Sequence, residues 1–253
     1  MKAVWKGAIA FGLVNIPVKL YSVAEPKAIS FRLLCGKCHS PLRYKRWCDK
    51  CKKEVSWENV VKGIEYAKGK YFVVTKDVLK KLRPEKSDLI EIMFFTDKGS
   101  IDPIYIGKKY YVVPDKAGEK AYFLLKEVLQ ATAKIAIGKF VMKEKQYLCV
   151  IESYKQGLLL TTLNYAYEVR PIDLIEELKV TPKLGKKELA LAKELIKKLY
   201  EEEFDISAFK DEFAEGLKEL IKKMIKGEKI VVKKKRKKKK LTLVQALKAS
   251  IGK

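Results

Sequence analysis

The chain has 253 residues, 48% of them hydrophobic, with 55 Lys and Arg against 31 Asp and Glu and a single His, a formal charge of +24. That apolar content excludes composition-driven disorder for the bulk of it, and a chain this long buries roughly three quarters of its unfolded surface. So large a positive excess points to a polyanion as partner, nucleic acid or anionic lipid.

In chain order, residues 4–11 and 14–21 are apolar-rich and divided by Gly12, which predicts two short strands. Residues 35–51 form a small loop region bearing four cysteines. Residues 71–74 are a short β-rich run. Thr75 is an N-cap candidate for a helical turn over 76–82, closed by Pro84. Residues 89–95 and 104–113 read as strands, the latter bounded by Pro103 and Pro114. Ala121, Leu124, Leu125, Val128 and Leu129 recur at helical spacing and predict a helix over 119–133. Strand-like runs follow at 135–142, 147–151 and 158–163. Short strands punctuated by Gly, Pro and Asp fit a barrel or a sandwich.

After Pro171 the periodicity changes from 2 to 3.6. Amphipathic helices are predicted over 186–204 and 209–225, with Gly227 as a stop. Lys233, Lys234, Lys235, Arg236, Lys237, Lys238, Lys239 and Lys240 make a run of like charges that repel one another when free. Residues 241–251 then carry Leu243, Ala246, Leu247 and Ile251 at helical spacing, too short to be stable without a partner. The charge divides accordingly. Residues 1–171 carry +15, residues 172–228 carry −2 and residues 229–253 carry +11. A mainly β, basic body is thus expected, followed by a nearly neutral helical arm suited to packing on a second copy, then a basic tail.

Cys35-x-x-Cys38 and Cys48-x-x-Cys51 form two knuckles nine residues apart. Four thiolates at such spacing suit one tetrahedral structural Zn²⁺. Two disulfides or free thiols are the alternatives. His39 is read as a bystander and Cys149 as a core residue. Between the knuckles, Arg43, Tyr44, Lys45, Arg46 and Trp47 mix cations with aromatic rings. They can hold phosphates and stack on sugars or bases, or simply make a solvated hairpin tip. The Lys-rich run has three readings: a DNA-binding tail, an anionic-membrane contact, or a solubility aid. The basic body favours DNA. No phosphate-binding loop, dinucleotide fingerprint or HExxH is present, and one His removes most general-base schemes. A binding protein rather than an enzyme is expected. No window reaches the 18–20 apolar residues of a membrane span, so an intracellular protein is expected, and with DNA as the favoured partner a cytoplasmic, nucleoid-associated one.

Residues 5–21, WKGAIAFGLVNIPVKLY, resemble the opening of prokaryotic Ku proteins. Further matches are RYKR at 43–46, KGIEY at 62–66, IDP at 101–103 and YYVVPD at 110–115. KAYFLL at 120–125, ELALA at 188–192 and ALKASI at 246–251 extend the likeness from residue 3 to about 251. The resemblance implies a β-barrel core that forms a homodimeric ring around linear double-stranded DNA ends without reading base sequence. It implies helical arms that help dimerisation, and a C-terminal region that meets DNA and an ATP-dependent DNA ligase of non-homologous end joining. It implies no small-molecule substrate. On that footing Arg43, Lys45, Arg46, Lys108, Lys109, Lys143 and Lys145 are candidates for the DNA channel. The basic run at 233–240 is a further DNA contact, and Leu243, Leu247 and Ile251 are candidates for the ligase. The reading from another class is a zinc-ribbon protein that binds RNA or coats the nucleoid without preferring ends.

Overall fold

The computed structural model of the protein describes residues 1–25, 29–75, 78, 88–143, 145–227 and 242–251. They fall into two units, one running to Pro171 apart from residues 28–30, and one made of those three residues with the chain from Ile172. In the first, β1 (Trp5–Phe11) and β2 (Val14–Ser22) form a hairpin in register Trp5↔Leu20 to Phe11↔Val14. Gly12 opens its turn at φ 59°, a left-handed conformation that costs glycine nothing.

An insertion follows β2. Two short antiparallel strands, β3 (Trp47–Cys48) and β4 (Lys53–Glu54), pair with each other, as do β5 (Lys62–Ala67) and β6 (Lys70–Val74). Strands β3, β4 and β5 were not among the expected elements. Every residue of β5 is exposed, so its sequence has no buried face to write an alternating pattern. The helical turn expected over 76–82 lies outside the described residues apart from Val78, whose N–H donates to Thr75 Oγ1 at 3.4 Å.

The chain then returns as β7 (Leu89–Asp97) and β8 (Ile106–Pro114), crosses as helix α1 (Glu119–Thr132), and ends in β9 (Lys134–Met142), β10 (Lys145–Tyr154) and β11 (Gly157–Leu163). The seven long strands close a barrel in the order β1-β2-β8-β11-β10-β9-β7. All pairs are antiparallel except β1 with β7, the parallel seam that closes it. Of the two architectures the sequence allowed, the barrel is the one adopted.

Ile9, Leu20, Ile90, Phe140, Ile151 and Leu160 point inward and are fully buried. Each contributes about 1.5–3 kcal/mol relative to exposure. Strands β9 and β11 read as continuous apolar runs because they are covered on both sides. Outside the barrel, Ile135, Ile137 and Val150 pack with Ile101 and Leu163. Cys149 is a core residue, and burial pushes its thiol up to about 12.

In the second unit, α2 (Lys186–Lys198) stops six residues short of the expected helix. Glu201, Glu202 and Glu203 would otherwise sit at a helix C-terminus, where the macrodipole disfavours carboxylates. Helix α3 (Glu212–Ile225) starts three residues late because Asp211 caps it, its Oδ1 accepting from Ala214 N–H at 2.9 Å. The terminal helix α4 (Leu243–Ile251) follows Thr242, whose Oγ1 and N–H exchange hydrogen bonds with the N–H and Oε1 of Gln245. Helices α2, α3 and α4 contain no fully buried residue. No helix among the described residues is long and apolar enough to cross a membrane.

Candidate nucleic-acid interface

Strand register divides the barrel into two ends with different contents. Trp5↔Leu20, Ser22↔Tyr110, Leu163↔Ile106, Leu148↔Leu163 and Lys145↔Met142 place the start of β1, the end of β2, the starts of β8 and β10 and the ends of β9 and β11 together. Trp5 Nε1–H closes this rim by donating to Val141 O at 3.0 Å. The insertion leaves from Ser22 and comes back at Leu89, so both of its attachments lie at this same end. At the opposite end α1 leaves after β8 and re-enters before β9, burying Tyr122, Leu125 and Leu129.

Four of the candidate cations belong to the insertion-bearing end. Lys108 and Lys109 lie near the start of β8, Lys143 in the turn between β9 and β10 at φ 51°, and Lys145 at the start of β10. Lys145 Nζ is tied to Glu168 at 2.6 Å and lies 5.4 Å from the Tyr147 ring centre. That carboxylate holds the Lys145 ammonium above its ordinary pKa and is itself lowered in return. No ion pair engages Lys108, Lys109 or Lys143 among the described residues.

Two residues outside the candidate set shape this rim. A bulge interrupts the β8–β11 register at Thr162, whose Oγ1 accepts from Lys108 N–H at 2.9 Å and donates to Lys108 O at 3.2 Å. Gly107 makes the approach possible, since a Cβ there would come within 2.7 Å of that hydroxyl. Bulges re-aim neighbouring side chains. A glycine inside an otherwise good strand was the signal in the sequence.

The remaining candidates lie in the insertion. Arg43 is exposed, Lys45 is paired with Glu54 at 2.8 Å, and the Arg46 guanidinium sits 4.8 Å over Trp57. The Glu54 carboxylate raises the Lys45 ammonium. Trp57 went unnoticed in the sequence because it is eleven residues from Arg46 and no motif links them.

The four knuckle cysteines sit on two turns. His39 N–H donates to Cys35 O at 2.8 Å and Cys35 N–H to Ser40 O at 2.9 Å, folding the first. The second lies between β3 and β4, where Cys51 N–H donates to Cys48 Sγ at 3.5 Å. Each pair is followed by a left-handed residue, His39 at φ 56° and Lys52 at φ 50°. Hydrogen bonds from Ser40 bring the Cys38 thiol down to about 7, and the Cys51 N–H lowers Cys48. The cysteines are thus matched in twos. Among the described residues no three His, Cys, Asp or Glu side chains stand together in a way that would hold a metal.

The basic run at 233–240 lies outside the described residues. In the second unit, α4 packs on α2, and Lys198 Nζ donates to Ile251 O at 2.6 Å. Leu247 and Ile251 are half-buried and Leu243 is exposed. Two of the three residues expected to meet a ligase therefore already have cover from within the chain.

Comparison with known proteins adds the following. The family model for the Ku70/Ku80 beta-barrel domain matches residues 10–191. A protein of Archaeoglobus fulgidus named non-homologous end joining protein Ku is 40% identical over 252 residues, covering 99% of this chain and 98% of that protein. Proteins of the same name from Heliobacterium modesticaldum and Bacillus subtilis are 38% and 36% identical. They cover 99% and 100% of this chain, and 91% and 82% of their own lengths.

Proposed function

The chain belongs to the Ku family of non-homologous end joining proteins, and on that footing we propose that it is a homodimeric, non-enzymatic protein that encircles the ends of linear duplex DNA. The observation that carries this reading is the gathering at one barrel end of Lys108, Lys109, Lys143, Lys145 and both attachments of a basic insertion. Contacts of that kind reach phosphates and need no base readout. Helices α2 and α3 supply a second support. With the α2 C-cap Leu199 they leave Ile196, Phe213 and Met224 exposed, apolar surface that a partner copy would cover. A ring closed by two copies admits a free end and refuses the middle of a long duplex.

The testing experiment is a competition for labelled linear duplex at fixed salt. Unlabelled linear DNA should displace the label at least about tenfold better than covalently closed circular DNA of equal length. Equal displacement would overturn the ring and favour a coating protein without end preference. In the same reading the exposed Leu243 and the half-buried Leu247 and Ile251 of α4 engage the ATP-dependent ligase, and the run at 233–240 adds DNA contacts.

We also propose a structural zinc held by Cys35, Cys38, Cys48 and Cys51. Four soft sulfur donors on two like-built turns suit that ion, and its chemistry would be to tie the turns together rather than to catalyse. Metal analysis of the purified protein should find about one zinc per chain, and essentially none in the Cys48→Ser, Cys51→Ser double variant. A metal-free wild-type chain with titratable thiols would remove the ion from the reading.

A further inference from the structure

The insertion carries a feature that duplex-end binding does not use. Residues 31–75 hold eleven Lys and Arg against four Asp and Glu, and also Tyr44, Trp47, Trp57, Tyr66, Tyr71 and Phe72. The barrel unit buries some large rings, Tyr122 at 2% exposure and Phe140 at 1%, and part-exposes others, Phe94 at 54% and Phe95 at 42%. The insertion exposes its rings further: Tyr44 87%, Trp57 70% and Trp47 58%. Two-stranded hairpins have no interior to receive an indole, so the rings are left facing solvent among cations.

Their local setting is ordered. Strand pairing sets Trp47 opposite Glu54, and the Lys45–Glu54 ion pair braces the same short ladder, which Val55 N–H extends by donating to Arg46 O at 2.8 Å. Glu54 stands across the ladder from Trp47 and holds Lys45, so a cation stands beside that ring. Arg46 covers one face of Trp57 from 4.8 Å and leaves the rest of that ring open. Asn59 Nδ2–H donates to Ser56 Oγ at 3.0 Å and holds the turn that carries Trp57.

Exposed indoles beside cations match a ligand that offers a π face and a phosphate at each repeat. Stacked base pairs inside a duplex offer no free face, whereas unpaired nucleotides do. The positive charge of the segment is complementary to such a strand. We propose that Trp47 beside Lys45, and Trp57 beneath Arg46, are two stacking positions for unpaired bases of single-stranded DNA, such as the overhang of a broken end. Both positions lie in the insertion, and their rings are not among the phosphate contacts assigned to the duplex channel.

The test uses the full chain and its own tryptophan fluorescence. Three probes are compared: an oligo-dT strand, an abasic strand of equal length with the same phosphates, and a blunt duplex. Oligo-dT should quench the emission and bind at least about tenfold tighter than the abasic strand, the scale of one stacked base. Trp47→Ala with Trp57→Ala should lose both the quench and that tenfold advantage while keeping wild-type affinity for blunt duplex. Trp47→Tyr with Trp57→Phe, which keeps the rings, should restore the preference for oligo-dT over the abasic strand. Equal binding of abasic and base-bearing strands would overturn the stacking positions. Unchanged oligo-dT binding in the alanine variant would also overturn them, as would loss of blunt-duplex binding in that variant. The linear-against-circular competition uses only duplex, so either proposal can fail while the other stands.

Discussion

Raising monovalent salt from about 50 to about 200 mM weakens binding to blunt linear duplex by at least about four orders of magnitude. The estimate follows from which cations are at liberty. Lys45 and Lys145 are already held by Glu54 and Glu168, whereas Arg43, Lys108, Lys109 and Lys143 have no ion-pair partner among the described residues. Each phosphate neutralised releases a condensed counterion, with a slope near −0.9 per contact. Four free cations on each copy of the proposed dimer give a slope of about −7, which over this salt range is the stated loss, and contacts from the run at 233–240 would steepen it. Anisotropy titrations at several salt concentrations read the slope directly. Lys109→Gln should flatten it by about 2, one contact per copy, and Lys145→Gln by less, since its ammonium has a carboxylate to leave before it can reach phosphate. A slope near zero, or equal flattening by both variants, would take the phosphate contacts away from these positions.

Tyr122→Phe lowers stability by about 2–4 kcal/mol, the largest loss expected from removing one atom. The hydroxyl is the pin between α1 and the barrel. It donates to Val112 O at 2.6 Å on β8 and accepts from Leu158 N–H at 2.8 Å on β11. Burial pushes the Tyr122 phenol up, so it stays protonated and keeps both bonds through the physiological range. Phenylalanine would keep the ring and strand a buried carbonyl and a buried N–H, each costing about 1–3 kcal/mol unless water enters. Gly157 gives the hydroxyl its room, since a Cβ there would lie 3.0 Å from it. Chemical denaturation followed by far-ultraviolet dichroism measures the change. A loss below about 0.5 kcal/mol would mean that the two groups find other partners.

Some of this architecture was legible locally. Strands β1, β2, β7, β8, β9 and β11 announced themselves as apolar, β-branched runs cut by Gly12, Pro103 and Pro114. They also have a core to face, and a core is what writes such runs. Strand β5 has none, and Lys62, Gly63, Ile64 and Glu65 alternate with nothing buried beneath them. The ends of α2 and α3 were misjudged because hydrophobic periodicity ran past the electrostatic stop at Glu201 and the cap at Asp211. In the candidate site, motif and charge named individual cations. What sets the start of β8, with Lys109, at the same barrel end as the β9–β10 turn, with Lys143, is pairing across β11 and β10, a register that no local pattern encodes. The ties that restrain Lys145 and Arg46, to Glu168 and Trp57, are likewise products of the fold.

The parallel seam between β1 and β7 has a consequence in time. A growing chain makes the β1–β2 hairpin first, yet neither of its outer edges has a neighbour until β7 and β8 exist, and the circuit is incomplete until β11 ends at Leu163. At roughly 5–20 residues per second, the hairpin waits on the ribosome for on the order of ten seconds with both edges bare. Bare edges recruit other strands. Lys6, Asn15 and Lys19 interrupt the apolar run of these two strands and keep the waiting hairpin from pairing with its like.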